Sequence, residues 1–376
     1  MRKVVILMVT GGGGHGAGAM AIAGALGHLY GKEVSTSIVD VSKQGAHSPV
    51  GWLDGLYRWL ARDGLWLWKT LWWTDGHPWI VRLGAWLLMP VFGGWLGRIL
   101  RAEAPDLVVT VHGLVNHIPQ RVLHKKMPHV PFVTVVLDLV SAHPVWFCPQ
   151  ADLCLVPTEA ARERALRFGM PPQKVQVVGL PVDLRFLAPM DDRNVLRARL
   201  QLDLGRPCVL LVGGGDGVGA LYETARALAC GVPNIQLIVV TGRNEALRRK
   251  LENSTWEVPT QIHGFVRNMP ELMAASDLLV TKAGSVTLAE AFVMGLPVII
   301  YGFVPGQEEG NIAYVQKHGA GAYASDPEQV AALARAWLEP GNPELAHIQA
   351  NARSLACPEA SFIVARTLHE LLQEPS

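Results

Sequence analysis

The most chemically informative stretch of the chain is residues 277–311, DLLVTKAGSVTLAEAFVMGLPVIIYGFVPGQEEGN. Its first apolar run predicts a buried parallel strand, and a glycine turn then leads into a helix that Ser285 can cap and that ends near Met294. A glycine turn before a helix N-terminus forms an anion site, because unpaired N–H groups and the positive end of the helix dipole point at one place. We therefore predict a phosphate site formed by Gly284, Ser285 and Val286.

Carboxylate and amide side chains follow this anion site. Glu290 lies just over one turn into the helix, where a carboxylate could accept hydrogen bonds from ribose hydroxyls. Gln307, Glu308 and Asn311 follow the next predicted strand and offer several partners for a sugar. A diphosphate site, a ribose site and a polyol site together indicate a nucleotide-sugar. The alternative is that Thr287 and Glu290 form a T-x-x-E capping box and that the rest is a surface loop.

A further candidate for chemistry is His15, which lies in the glycine run TGGGGHGAG at 10–18. A histidine at a strand-to-helix turn is well placed to act as a general base near neutral pH, and the alternative is a capping or merely exposed histidine. The run also satisfies G-x-G-x-x-G, and Asp40 ends the second predicted strand, so a Rossmann oxidoreductase is another alternative. We favour the general base, because the histidine occupies the place where the backbone must approach a pyrophosphate.

A second glycine loop, LVGGGDGVG at 211–219, follows the first strand of the second half of the chain. Gly214, Gly215 and Asp216 are expected to approach the diphosphate from the side opposite the helix described above. The loop lacks the GK[ST] ending and is therefore not a P-loop. Arg243 follows the next strand and could neutralise phosphate, although a solvated loop arginine fits the pattern equally well.

The 376 residues alternate apolar strands with helical segments, which predicts an α/β protein with parallel sheets covered on both faces. The segment 181–206 is more charged and contains two prolines, so we place the domain boundary there, giving domains at 1–185 and 186–354. We expect two doubly wound Rossmann-like domains that face each other across a cleft, with a C-terminal helix, 355–376, packed back on the first domain. The predicted strands are Val4–Val9, Thr36–Val41, Leu107–His112, Phe132–Asp138, Leu153–Pro157, Val175–Gly179, Cys208–Val212, Leu237–Thr241, Gln261–Gly264, Leu278–Thr281 and Val298–Tyr301.

Composition narrows the class of protein. The formal net charge is +1, so no strong field for nucleic acid is implied. The five cysteines show no C-x-x-C spacing and fit free thiols in a reducing cytosol. No Asp-x-Asp occurs in a plausible loop and no His/Cys cluster has ligand spacing, so we expect chemistry without a metal or other cofactor.

A segment at 50–101 is unlike the rest, because nine of the twelve tryptophans fall in it together with arginine and lysine. Pro90 and the pair Gly93-Gly94 interrupt its longest charge-free run, so we expect it not to span a bilayer. This composition is typical of segments in the headgroup region, which predicts one or two interfacial helices that dock on a membrane, with a preference for anionic lipids. The alternative is a buried helical subdomain or a dimer contact. The expected membrane contacts include Trp66, Trp68, Trp72 and Trp73.

Taken together, the motifs resemble glycosyltransferase family 28, and more closely its monogalactosyldiacylglycerol synthase-like branch, over nearly the whole chain. No single motif is decisive, whereas eight in the right order are. The matching pieces are Gly12–His15, LDLVSAHPVWF (137–147), VVGLPVD (177–183), GGGDG (213–217), TGRN (241–244), GFVRNM (264–269), KAGSVTLAEA (282–291) and QEEGN (307–311).

This resemblance implies a two-domain GT-B fold and an inverting transferase whose nucleoside-diphosphate sugar is held mainly by the second domain. It implies that His15 deprotonates the acceptor hydroxyl and that Glu290 binds ribose. Phe265 and Val266 would offer backbone contacts to the base. It further implies that the Gln/Glu/Asn cluster named above meets the donor sugar, and that Asp138 and His143 line the acceptor side. We group Asp138 with His15 as a catalytic candidate.

The sequence also departs from the family pattern. The histidine is usually followed by Arg-Ala-Ser-Ala, but here by Gly16–Ala19, and the KAG motif continues as Ser285–Thr287 in place of Pro-Gly-Thr. Asp216 stands where glutamate is common. These changes keep the anion sites and bear on the identity of sugar and acceptor.

We expect, in sum, a peripheral enzyme on the cytoplasmic face of the cell membrane that moves a hexose from a UDP-sugar to a lipid hydroxyl such as that of diacylglycerol. The alternatives are transfer of N-acetylglucosamine to a lipid-linked peptidoglycan precursor, a soluble UDP-sugar 2-epimerase, and a membrane-bound sensor without turnover.

Overall fold

The computed structural model describes residues 1–9, 13–43, 77–215, 217 and 219–373. Within them the chain forms two six-stranded sheets, and every strand pair is parallel. The predicted α/β class with two doubly wound sheets is confirmed. Asp216 and the predicted membrane contacts Trp66, Trp68, Trp72 and Trp73 lie outside the described residues.

The first sheet has the strand order β2-β1-β3-β4-β5-β6. Its central strands are buried on both faces, which explains their unbroken Val, Ile and Leu runs. Its strands are β1 (Arg2–Met8), β2 (Val34–Asp40), β3 (Leu107–Thr110), β4 (Phe132–Val135), β5 (Leu153–Val156) and β6 (Val175–Val177), and its helices are α1 (Gly14–Tyr30), α2 (Pro78–Glu103), α3 (His117–Lys126) and α4 (Glu159–Arg167).

The second sheet has the order β12-β11-β10-β7-β8-β9. The sequence missed one strand, Gly321–Tyr323, because it has three residues and no branched apolar run. The elements are α5 (Arg193–Arg199), β7 (Cys208–Val212), α6 (Leu221–Gly231), β8 (Gln236–Val240), α7 (Glu245–Glu252), β9 (Thr260–His263), α8 (Met269–Ala275), β10 (Leu278–Lys282), α9 (Ser285–Met294), β11 (Val298–Gly302), α10 (Glu309–Lys317), β12 (Gly321–Tyr323), α11 (Pro327–Trp337), α12 (Pro343–Ser354) and α13 (Ala360–Gln373).

Each sheet has a topological switch point where the strand order reverses. It lies between β1 and β3 in the first sheet and between β7 and β10 in the second. Ligands of such sheets bind outside the carboxyl ends of the strands at these points. Gly13 before α1, Gly214 and Gly215 after β7, and Gly284 after β10 therefore lie at the two positions where a ligand is expected.

The last helix, α13, packs on the first domain although it follows the second in sequence. Val364, Leu368 and Leu372 lie in the same buried cluster as Ile22 and Leu26 of α1. Burying a side chain of this size stabilises a fold by about 1.5–3 kcal/mol, so this helix ties the two halves of the chain together.

Helix α2 differs from its prediction. It runs without a break from Pro78 to Glu103 with Pro90 inside it, so the expected interruption at this proline is wrong. A proline in a helix interior costs about 3 kcal/mol, and packing of Leu96 and Leu100 into the first domain can offset that cost. By length and composition the helix is long and apolar enough to cross a membrane.

The two domains meet through backbone groups that leave no space for a side chain. The Gly310 N–H donates to Ser141 Oγ at 3.1 Å, and an ideal Cβ on Gly310 would collide with that oxygen and lie 3.1 Å from Val140 Cβ. The Leu139 N–H donates to Ser285 Oγ at 3.1 Å. These contacts fix how the loop after β4 sits on α9 and α10.

We predict that Gly310→Ala separates the domains, because the added methyl group must displace Ser141. Overpacking of this kind costs about 1–3 kcal/mol, so the unfolding temperature should fall and small-angle scattering should show a larger radius of gyration. Gly302→Ala is the matched control, since an ideal Cβ there meets no described atom within 4 Å. Equal unfolding temperatures and equal radii for the two variants would contradict the prediction.

Candidate active site

His15 lies in the first turn of α1, the first helix after β1, and its hydrogen bond determines its tautomer. Nδ1 is 2.9 Å from the carbonyl oxygen of Val111, which follows β3. Because a carbonyl only accepts, Nδ1 carries the proton and Nε2 keeps its lone pair. The two strands of the first switch point thus hold a neutral imidazole with one nitrogen ready to accept a proton.

Two aromatic rings surround His15. Its ring centroid is 4.2 Å from that of His112 and 5.8 Å from that of Trp146. Burial lowers the pKa of His15 to about 4, and burial also lowers the pKa of His112 well below its ordinary value. His112 Nδ1 accepts from the Leu114 N–H at 3.2 Å, which holds that ring in place. Both imidazoles are therefore uncharged at neutral pH.

Asp138 is connected to His15 through the indole ring of Trp146. Its Oδ2 accepts from Trp146 Nε1 at 2.6 Å and its Oδ1 accepts from Gln307 Nε2 at 3.1 Å. Burial is the main reason that the pKa of Asp138 rises to about 6. The carboxyl group thus holds the indole beside His15 and joins the loop after β4 to the second domain. Asp138 is placed to position the site, whereas the sequence had grouped it with His15 as catalytic.

The N-termini of α1 and α9 face each other across the cleft. An ideal Cβ on Gly14 would lie 3.3 Å from Val286 Cγ2, and one on Gly215 would lie 2.9 Å from the Gly13 nitrogen. The first N–H groups of a helix have no partner within the helix, and the helix dipole makes this end positive. Two positive helix ends and the turn at Gly214, whose φ of +72° favours glycine, therefore converge on one anion site.

The role predicted for Ser285 needs correction. Gly284 is the N-cap residue of α9 and Ser285 is the first helical residue. Its hydroxyl accepts from the Leu139 N–H and from Asn311 Nδ2, each at 3.1 Å, so it joins the two domains. Since the helix starts at Ser285, Thr287 is not a cap and the alternative of a T-x-x-E capping box is wrong. The predicted helix end is confirmed, with Gly295 in the left-handed region after Met294.

Glu290 lies on α9 near the segment that joins the domains. Burial, with a smaller effect of the Asp183 carboxylate, raises its pKa to about 8. Arg185 pairs with Asp183 at 2.8 Å and donates from Nη1 to the Arg267 carbonyl at 2.6 Å. Among the described residues no hydrogen bond reaches the Glu290 carboxyl, so its oxygens are available to ligand hydroxyls, as the ribose prediction requires.

Arg243 and Phe265 form the outer wall of the second-domain site. The Arg243 guanidinium lies 5.0 Å from the centre of the Phe265 ring, and Phe265 is 59% exposed. The Arg243 N–H donates to the Gly215 carbonyl at 2.9 Å, which ties this wall to the glycine turn. Val266 packs against the second-domain core. An exposed ring beside a cation suits the face of a nucleobase better than a phosphate.

The three predicted sugar partners are held in different ways. Gln307 donates to Asp138, as described above. Glu308 pairs with Lys282, whose Nζ is 2.5 Å from Glu308 Oε1. Asn311 donates through Nδ2 to the Ala283 carbonyl at 2.8 Å, and its buried Oδ1 has no partner among the described residues. Asn311 Oδ1 can therefore still accept a hydrogen bond from a ligand.

His143 occupies the turn before Trp146. Its Nδ1 accepts from the Val145 N–H at 3.2 Å and so caps the short 3₁₀ turn Pro144–Trp146. Sequence reasoning named this residue but missed His112 and Lys282. Both could have been found, because His112 ends one predicted strand and Lys282 directly follows another. The described residues contain no group of three or more His, Cys, Asp or Glu side chains placed to hold a metal ion.

Two doubly wound parallel α/β domains that face each other, with a basic histidine nitrogen at the start of a helix in the first domain, have the arrangement of a GT-B glycosyltransferase. Residues 15–182 match the family model described as monogalactosyldiacylglycerol (MGDG) synthase, and residues 208–362 match the glycosyltransferase family 28 C-terminal domain. The chain belongs to the monogalactosyldiacylglycerol synthase family, and the resemblance seen in its motifs is confirmed.

Individual relatives support this assignment over the full length. The chain is 36% identical to probable monogalactosyldiacylglycerol synthase 2, chloroplastic, of Oryza sativa subsp. japonica, covering 100% of the chain and 82% of the relative. It is also 36% identical to monogalactosyldiacylglycerol synthase 1, chloroplastic, of Arabidopsis thaliana, covering 99% and 72%. The structure of MurG from Acinetobacter baumannii superposes with a TM-score of 0.63 at 16% identity, covering 98% of this chain and 100% of MurG, which shows the shared fold.

We predict that His15 titrates with a midpoint near pH 4, because burial disfavours the imidazolium. The imidazole is then neutral at every pH above about 5. NMR titration of the histidine Cε1–H signals can measure this midpoint, with the His15 signal assigned by its loss in His15→Gln. Adding UDP should move the midpoint upward, since a nearby anion favours the charged ring. A midpoint near 6.5 that UDP does not change would contradict the burial described above.

Proposed function

We propose that this enzyme transfers a hexose, with galactose as the first candidate, from a UDP-sugar to the free hydroxyl of diacylglycerol. The observation that carries this proposal is the neutral His15, whose Nδ1 bonds the Val111 carbonyl oxygen so that Nε2 keeps its lone pair, in the first turn of the helix that forms the anion site together with α9. The names of the relatives, monogalactosyldiacylglycerol synthases, support the choice of sugar and acceptor.

In the proposed reaction His15 Nε2 removes the proton of the acceptor hydroxyl as that oxygen attacks the anomeric carbon. The bond from this carbon to the diphosphate oxygen breaks at the opposite face, so the configuration inverts and UDP leaves. The diphosphate itself assists, because its negative charge raises the basicity of His15 from its low value in the free protein. The proton ends on Nε2 and is lost to water after product release.

The leaving diphosphate needs positive charge around it. We propose that the N–H groups at the start of α9 and the turn at Gly214–Gly215 supply it, as preoriented dipoles do at other sites of developing negative charge. No metal ion has a role in this proposal. Glu290 would bind ribose as the carboxylate, so donor affinity should rise as the pH rises toward its pKa of about 8.

The test is incubation of the protein with radiolabelled UDP-galactose and diacylglycerol liposomes in EDTA. We expect label in extracted galactolipid, and we expect His15→Ala to lower the rate by about 10²–10⁴-fold while UDP still binds, because general base catalysis contributes that much. His28→Ala, an exposed histidine on the same helix, is the control and should keep wild-type activity. Full turnover by folded His15→Ala would refute the mechanism, and label that stays aqueous would refute the lipid acceptor.

We also propose that α2 brings the enzyme to the membrane. Its C-terminal end is tied to the start of β1 by a Glu103–Lys3 ion pair at 2.8 Å. Near its N-terminal end the Arg82 carbonyl accepts from Arg121 Nη2 at 3.4 Å, so this half lies on the first domain with one face uncovered. The exposed apolar residues of this half are Trp79, Leu83, Trp86, Leu87, Leu88 and Val91.

We propose that the membrane contains anionic lipids and that the enzyme binds to its cytoplasmic face. Arg82 lies within the apolar half of α2, and Arg98 and Arg101 follow along the same helix, all of them exposed. Basic residues at a bilayer surface attract anionic headgroups by about 1 kcal/mol each. The cysteines, all free, agree with a reducing compartment.

We predict that the double variant Trp86→Ser, Leu87→Ser lowers the liposome partition coefficient by at least about tenfold, since two large apolar side chains lose their insertion. Co-sedimentation with phosphatidylglycerol-containing vesicles measures it. Val195→Ser, Leu204→Ser is the matched control, because these residues are 54% and 53% exposed in the second domain. Unchanged sedimentation of the first variant would contradict docking by α2, and equal binding to neutral vesicles would contradict the anionic preference.

A further inference from the structure

Lys282 ends β10 and lies between the two glycine turns of the anion site. An ideal Cβ on Gly214 would lie 2.9 Å from Lys282 Cε, and an ideal Cβ on Gly284 would lie 3.6 Å from Lys282 Nζ. The aliphatic part of the side chain therefore passes over the first turn, and the ammonium group lies beside the N-terminus of α9. The glycine at 214 is required by this passage as well as by its positive φ.

Glu308 holds the ammonium group in this position. Its Oε1 is 2.5 Å from Lys282 Nζ and its Oε2 accepts from the Val304 N–H at 2.8 Å. The side chain is only 9% exposed, so both oxygens are immobilised in a largely dry place. A charge-assisted hydrogen bond in such surroundings fixes the lysine much more firmly than a surface ion pair would.

The ammonium group keeps hydrogen-bonding capacity for a ligand. Glu308 is the one hydrogen-bond partner of Lys282 Nζ within the described part of the chain. An ammonium has three N–H donors, so two remain for a ligand that enters between the turns. An anion at the start of α9 would meet these donors and the free backbone N–H groups at once.

We propose that Lys282 binds the diphosphate of the donor and that Glu308 is the positioning residue that holds the lysine there. This inference rests on the proposed function only for the identity of the donor as a nucleoside diphosphate sugar. It gives Glu308 a role different from the direct sugar contact expected from the sequence. It also adds Lys282 as a cation of the diphosphate site on the side of Gly284, while Arg243 Nη1 lies on the side of Gly215, 3.5 Å from an ideal Cβ there.

A cation in this place acts on phosphate and leaves the nucleoside unaffected. Removing this cation should therefore weaken the binding of UDP and leave the binding of uridine unchanged. A general loss of structure would instead weaken the binding of both. The ratio of the two dissociation constants is thus the informative quantity.

The experiment compares UDP binding, by calorimetry, with uridine binding, by NMR chemical-shift titration, in the full-length protein. We expect Lys282→Gln to raise the dissociation constant of UDP by about tenfold or more, which is the effect of losing one charge-assisted hydrogen bond. The dissociation constant of uridine should change by less than about twofold. Lys282→Arg should restore most of the UDP affinity. Lys317→Gln, an exposed lysine at the end of α10 in the same domain, removes the same charge and should change neither constant.

The role of Glu308 has its own variant. Glu308→Asp keeps the charge but shortens the side chain, so the Lys282 ammonium group is drawn away from Gly284. The dissociation constant of UDP should therefore rise by about threefold or more. An unchanged ratio of UDP to uridine affinity in Lys282→Gln would overturn the inference. If that variant does not fold, an unchanged ratio in Glu308→Asp would overturn it in the same way.

Failure of this inference and failure of the proposed function can be told apart. If wild-type protein makes no glycolipid but Lys282→Gln still weakens UDP selectively, the acceptor or reaction is wrong and the diphosphate site stands. If glycolipid forms and the ratio does not change, the reaction stands and the role of Lys282 is wrong.

Discussion

The site depends on the close approach of two helix N-termini across the cleft between the domains. Gly13 at the start of α1 approaches the backbone of Gly215, and Gly14 contacts the side chain of Val286, both in the second domain. Such an approach is possible only where side chains are missing, because a single Cβ would separate the turns. Two positive helix ends and their free N–H groups then share one small volume. That volume attracts an anion, and every functional side chain is arranged around it.

Burial shifts three titratable side chains of this site toward their neutral forms before a ligand arrives. It lowers the pKa of His15 to about 4 and raises the pKa of Asp138 to about 6 and that of Glu290 to about 8. Each shift favours the neutral form of the group, since a charge is costly in a place away from water. A diphosphate that enters supplies negative charge beside His15 and so makes it a better base. Donor binding and readiness for proton transfer are thereby linked through electrostatics.

Helix α2 is anchored at one end and uncovered along the other half. Leu96 and Leu100 hold its C-terminal half in the first domain, whereas large apolar side chains such as Trp86 and Leu87 of the N-terminal half are exposed. A contiguous exposed apolar surface of this kind marks a contact with another apolar phase or partner. In the proposed function that phase is the bilayer that holds the acceptor.

The sequence by itself determined the elements and the chemistry of their ends. Buried Val, Ile and Leu runs specify parallel strands, and a histidine or glycine turn at a strand end must lie at the sheet edge, because side-chain pattern and backbone geometry are local properties. Only the tertiary structure decided which groups meet. That Ser285 bonds Leu139, that Asp138 reaches His15 through Trp146, and that Glu308 holds Lys282 depend on how the domains pack. Partners that are distant in sequence and the burial that shifts their pKa values leave no local pattern.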